Sequence, residues 1–152
     1  IIRVLKQDIG GEIQDGMDLS LCVVDKKKKE LLFSGARNGI YIIDNGEVDS
    51  HKADILPAGG AFSRKSKKMN RDFNTKKIQL RKDTWVVMYT DGYADQLGEG
   101  RIKSMGSSKF KKILKNAVKD KINSRDFLIN EFNSWKGDIS QVDDVLVIGF
   151  KV

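Results

Sequence analysis

One cysteine and one histidine in 152 residues leave almost no soft-ligand chemistry to this chain. Cys22 has no second cysteine to bridge to, so an internal disulfide is excluded, and Cys22 with His51 cannot build a zinc finger or a Cys/His structural zinc site. Any metal held here is held by oxygen. Long apolar runs are also missing: none approaches the roughly 18 residues that a membrane-spanning helix needs. No basic stretch followed by an apolar h-region opens the chain, so secretion is not signalled, and a lone reduced thiol fits a cytoplasmic setting. With no internal repeat and no Pro- or Gly-rich linker, residues 1–152 read as a single domain.

What is present is a charged, moderately apolar composition, with 39% hydrophobic and 32% charged residues. A net charge of +7 comes from 28 Lys and Arg against 21 Asp and Glu. The basic residues are scattered over Lys26 to Lys29, Arg64 to Lys68 and Lys109 to Lys121, with only Phe110 interleaved, so no nucleic-acid partner is expected. The chain opens on Ile1, with Ile2, Val4 and Leu5 apolar at helical or strand spacing. That opening is expected of a piece of a longer polypeptide.

Leu19 to Val24 and Leu31 to Phe33 are β-type apolar runs separated by Asp25 and four lysines, which predicts a hairpin with a solvated tip. Asn38-Gly39 precedes Ile40 to Ile43, and Asp44-Asn45-Gly46 follows, so a third strand is predicted to continue an antiparallel meander. Gly59 to Asn74, rich in Arg64, Lys65, Lys67, Lys68 and Arg71, reads as a basic loop. Ile78 to Leu80 and Trp85 to Tyr89 are further strands, with Trp85 expected to be buried. Phe110, Ile113, Leu114, Ala117 and Val118 share one helical face, with Ser107 or Ser108 as N-cap. A second helix is predicted from a Ser124 cap through Leu128, Phe132 and Trp135 to a stop at Gly137. Val145 to Phe150 returns as a strand. Strands, two helices and a returning strand read as α+β, with helices on an antiparallel sheet.

Two acidic motifs stand at strand ends. Asp91 follows the Trp85 to Tyr89 strand in Tyr89-Thr90-Asp91-Gly92, and Asp143-Asp144 precedes the last one. Each alone reads as a turn. If the two rims meet, their like charges repel unless a divalent cation offsets them, and oxygen-only ligation selects Mg²⁺ or Mn²⁺.

Taken in order, Asp15-Gly16-Met17-Asp18, Phe33-Ser34-Gly35-Ala36, Tyr89-Thr90-Asp91-Gly92-Tyr93-Ala94-Asp95-Gln96 and Gln141-Val142-Asp143-Asp144-Val145 resemble successive motifs of the metal-dependent protein phosphatases, in the bacterial SpoIIE/RsbU-like branch. The resemblance covers nearly the whole chain. It implies an antiparallel β-sandwich flanked by helices, incomplete here on the N-terminal side, and hydrolysis of a phosphoserine or phosphothreonine protein by metal-activated water. The implied cofactors are two Mn²⁺ or Mg²⁺ ions. The implied partners are a regulatory phosphoprotein of the anti-anti-sigma type and an upstream sensor domain in the same polypeptide, at the cytoplasmic end of a membrane anchor if one exists. It makes Asp91 and Asp143 metal ligands and gives Gly92, Asp144 and Asp18 supporting places, while Asp18 also reads as a strand-start residue. The family's N-terminal Asp-x-x-Gly-His-Gly motif, whose Asp bridges both metals, has no counterpart in these 152 residues, and His51 does not replace it. The chain alone is therefore expected to be nearly inactive. The alternative is a non-catalytic phosphatase-like module that binds a phosphoprotein or a sensor.

Overall fold

The computed structural model describes residues 16–59, 72–100, 103–119 and 123–152. Asp15 and residues 60–71 of the predicted basic loop lie outside the described residues. The chain divides into two compact units, Ile1–Ile40 with His51–Leu80, and Tyr41–Ser50 with Arg81–Val152.

In the first unit, β1 (Gly16–Met17) pairs antiparallel with β6 (Ala58–Gly59). The predicted hairpin forms from β2 (Leu19–Asp25) and β3 (Glu30–Ala36), in register from Leu19 opposite Ala36 to Asp25 opposite Glu30. Asp25 folds its lysine tip: the carboxylate Oδ1 accepts the backbone N–H groups of Lys27 and Lys28, each at 3.0 Å. The other side of β3 carries β7 (Lys76–Gln79), two residues earlier than the predicted Ile78 to Leu80. Leu31 and Phe33 are buried while Leu32 between them is exposed, the period-two alternation of a sheet with one covered face. At the C-terminal end of the basic segment, the backbone N–H and side-chain amide of Asn74 donate to Asp54 at 2.8 and 2.7 Å. These bonds hold the Asp54 carboxyl below its ordinary value.

The second unit holds a four-stranded sheet in the order β5-β4-β8-β9, from β4 (Ile40–Asp44), β5 (Glu47–His51), β8 (Trp85–Tyr89) and β9 (Val147–Lys151). The expected meander is corrected here, because β4 is not paired with β3. Arg37 takes a left-handed φ of 57° and donates its backbone N–H to the Asp54 carbonyl at 2.7 Å, so the ladder ends before Asn38-Gly39 can act as a hairpin turn. Ile40 to Ile43 is buried at every position, so both faces of β4 are covered, while β5 and β8 pair with its two edges. The second strand of that hairpin, β5, carries only Val48 as an aliphatic residue and has no periodic apolar signal.

The three helices among the described residues belong to this unit: the single turn α1 (Gly92–Asp95), α2 (Gly106–Lys119) and α3 (Ser124–Lys136). The predicted caps are corrected. α2 starts at Gly106, whose φ of +79° ends the preceding segment, so Ser107 and Ser108 sit in its first turn. Asn123 occupies the N-cap of α3, while Ser124 Oγ instead donates to the Ala117 carbonyl at 2.8 Å and ties α3 to α2. Gly137 stops α3 as predicted, with φ +56° and its N–H on the Asn133 carbonyl. The core joins Tyr41, Ile43, Val87, Tyr93, Phe110, Ile113, Leu114, Phe132 and Trp135, and Trp85 packs against it half-buried. The α+β class with antiparallel sheets is as the sequence predicts.

Candidate metal-binding rim

β8 delivers Thr90-Asp91-Gly92 at its C-terminal end, and β9 is entered through Asp143-Asp144, because the two strands are antiparallel with Tyr89 opposite Val147. A chain leaving one strand and a chain arriving at its antiparallel neighbour share an end of the sheet. Past that end the pairing continues as side-chain-assisted bonds. Thr90 N–H donates to the Leu146 carbonyl at 2.9 Å, Leu146 N–H donates to Thr90 Oγ1 at 2.9 Å, and Thr90 Oγ1 donates to the Asp144 carbonyl at 2.8 Å. One hydroxyl thus serves both lone pair and proton to the opposite chain. The sequence places Thr90 in a motif without assigning it this role; a threonine directly before Asp-Gly at a strand end is the only local signal it leaves.

Gly92 brings the backbones closer still. A Cβ there would collide with the Asp144 carbonyl oxygen and stand 3.2 Å from the Asp143 carbonyl carbon. Only glycine permits that approach. Asp91 then opens α1, its carbonyl accepting the N–H groups of Ala94 at 2.8 Å and Asp95 at 2.9 Å. Its side chain makes no capping hydrogen bond and is exposed, so its carboxylate is not spent on holding the turn. Asp143 and Asp144 are exposed as well. Asp143 Oδ1 accepts the Asp144 N–H at 2.7 Å, and Gln141 Nε2 donates to the Asp143 carbonyl at 2.8 Å, so this short acidic segment is internally braced.

The structure therefore brings together the backbones of the Asp91-Gly92 and Asp143-Asp144 motifs. Asp18 belongs to the first unit, where it faces Arg37 at 3.8 Å as a half-exposed ion pair. His51 ends β5 half-exposed. Among the described residues, no three of His, Cys, Asp and Glu form a metal-binding group. A mostly apolar cavity of about 690 Å³, lined by Trp85, Leu128, Phe132 and Val147 among others, lies under α2 and α3, and neither Asp91 nor Asp143 lines it. The acidic pair occupies an exposed rim.

No protein-family model and no curated protein matches the chain. Solved structures do. The chain is similar to the SiaA-PP2C domain of Pseudomonas aeruginosa, with a TM-score of 0.83 and 21% identity over 99% of this chain and 57% of that one. The phosphatase domain of the cell fate determinant SpoIIE from Bacillus subtilis, Mn presoaked, aligns with a TM-score of 0.63 and 15% identity, over 99% of this chain and 64% of that one. The RsbU and RsbW domains of a Mycobacterium tuberculosis protein align with a TM-score of 0.65 and 16% identity, over 97% of this chain and 38% of that one. The chain has the fold of PP2C-type phosphatase domains, and it spans less than two thirds of the length of these neighbours.

Proposed function

We propose that this chain is the C-terminal part of one metal-dependent phosphoprotein phosphatase domain, acting on phosphoserine or phosphothreonine in bacterial signalling. The observation that carries the reading is the contact of Gly92 with the Asp143-Asp144 backbone, two acidic motifs held together in a fold shared with PP2C-type phosphatase domains. Asp91 and Asp143 are the metal ligands; Gly92 and Asp144 support them, and Asp18 is the outlying candidate. Exposed carboxylates with no thiol or imidazole beside them fit the hard cations Mn²⁺ and Mg²⁺, and the SpoIIE neighbour was presoaked with Mn. When bound, such cations offset the carboxylate charge and acidify a water for attack on phosphorus. The chain's own contribution is positional. Thr90 and Gly92 fix the two turns, the Asp144 N–H restricts the Asp143 side chain, and the open rim admits a phosphorylated segment of another protein. The partner that fits the resemblance is a regulator of the anti-anti-sigma type, and the RsbU/RsbW neighbour supports a partner-switching setting. Among the described residues no helix is long and apolar enough to cross a membrane.

Phosphate release from a phosphoserine protein, with and without Mn²⁺, tests this in the longest natural polypeptide that carries the chain. Asp91→Asn keeps the side-chain shape and removes a ligand charge. Even outer partners of metal ligands cost about 10- to 100-fold when lost, so the rate should fall by about 100-fold or more with folding retained. Metal-independent turnover, or an unimpaired Asp91→Asn variant, sinks the mechanism. A second reading is a non-catalytic module, and without an Asp-x-x-Gly-His-Gly sequence in these 152 residues the 152-residue chain itself is expected to be nearly inactive. Binding of the phosphoprotein without turnover in the longer polypeptide would select that reading.

A further inference from the structure

We infer that Gln96 is a positioning residue for the acidic pair, setting the height of the Asp143 segment against the Asp91 turn; this deepens the metal-site reading above and rests on it. Gln96 stands five residues beyond Asp91, directly after α1, and is fully buried, one of only two buried polar or charged residues among those described. A buried amide is kept only where its donors and acceptor are used. Its Nε2 donates to the Ser140 carbonyl at 3.1 Å and to the Leu97 carbonyl at 3.1 Å, and its Oε1 accepts the Val142 N–H at 3.2 Å. The side chain thus grips the segment on both sides of Gln141, immediately before Asp143. Its backbone is anchored in turn, because the Gln96 carbonyl accepts Trp135 Nε1–H at 2.8 Å and Met105 N–H at 3.0 Å.

The consequence follows from the order of attachments along the chain. Residues 140–146 leave α3 and reach β9 with no helix or strand of their own. They are held at one end by Gln96, through Ser140 and Val142, and at the other by Thr90, through Asp144 and Leu146. Asp143 lies between these two clamps. Both clamps come from the same short stretch, 90–96, that carries Asp91, so the two carboxylates are referenced to one piece of backbone. Losing the Gln96 clamp frees the approach to Asp143 on one side while leaving β8, β9 and the Gly92 contact in place.

The test uses the longest natural polypeptide that carries the chain, isotope-labelled, and Mn²⁺ alone, whose paramagnetism broadens the amide signals of residues near it. Gln96→Met keeps the volume and removes the three side-chain hydrogen bonds, and Gln96→Glu keeps an acceptor for Val142 while losing the amide donors. In the unaltered chain Mn²⁺ should broaden Gly92 and Asp144 together. In Gln96→Met the Mn²⁺ concentration for half-broadening should rise about 10- to 100-fold, as for other groups that orient metal ligands. The Val142 amide should lose hydrogen-exchange protection, while amides of β8 keep theirs. Gln96→Glu should fall between. Lost Val142 protection with an unchanged Mn²⁺ midpoint makes Gln96 merely structural and overturns the inference. If Gln96→Met unfolds, an unchanged midpoint in Gln96→Glu overturns it equally. Asp91→Asn separates the two levels: a raised midpoint there with none in the Gln96 variants removes only the positioning role, whereas an unchanged midpoint in Asp91→Asn removes the metal site and the positioning role with it.

Discussion

At the scale of single residues, Gly92 is the position where identity matters most for geometry. It is not a residue that needs a left-handed backbone; it is one whose missing Cβ lets a carbonyl of the opposite chain close in. Gly92→Ala must push the Asp143-Asp144 segment away, and inserting a carbon into a closed contact costs about 1–3 kcal/mol. Urea unfolding of the variant should show that loss, with weaker Mn²⁺ binding alongside. Stability and Mn²⁺ binding equal to those of the unaltered chain would mean that the contact yields freely. The acidic residues themselves are legible in the sequence, since Asp-Gly after an apolar strand and Asp-Asp before one are local patterns. Thr90 and Gln96 are not legible as clamps. Apart from Leu97 beside Gln96, their partners lie 44 to 56 positions away and are backbone atoms, so no spacing or residue pairing advertises the bond.

Elements follow the same division between local and non-local signals. The β2-β3 hairpin and the buried stripe of α2 are visible because alternation and i, i+3, i+4 spacing are properties of a short window. The place of β4 is not, because whether a strand pairs with its predecessor depends on what else flanks it. The continuous burial of Ile40 to Ile43 means that both faces of β4 are covered, and one of its paired neighbours is the weakly apolar β5. Where elements meet, aromatic rings form the joint. Tyr41 and Tyr89 stack at 4.6 Å between centroids, Phe110 meets both edge-on at 6.0 and 5.5 Å, and Tyr93 stacks on Phe110 at 4.6 Å. Phe110 is therefore the ring through which α2 holds β4, β8 and α1 together. Phe110→Ala should cost about 3–5 kcal/mol, read as a shift of the urea midpoint. A loss below about 1 kcal/mol would place the joint elsewhere.

For the molecule as a whole, the buried phenols of Tyr89 and Tyr93 govern how stability changes as pH rises. Burial pushes the Tyr89 hydroxyl above its ordinary value of 10, and contact with Tyr41 adds to this; burial, then the charge of Glu131, does the same for Tyr93, whose hydroxyl donates to the Leu128 carbonyl at 2.7 Å. A raised folded value means that the unfolded chain releases these protons first. The contribution is then fully present below about pH 10 and is lost as pH rises through the folded values. Unfolding free energy from urea titrations should thus hold level up to about pH 9 and fall steadily above about pH 10. The tyrosinate absorbance of Tyr89 and Tyr93 should appear in step with unfolding rather than before it. Phe substitutions at the two positions test the cause: Tyr89→Phe with Tyr93→Phe should flatten the fall. Full tyrosinate signal in a chain that is still folded would show that these hydroxyls reach water, and the alkaline loss would then not come from them.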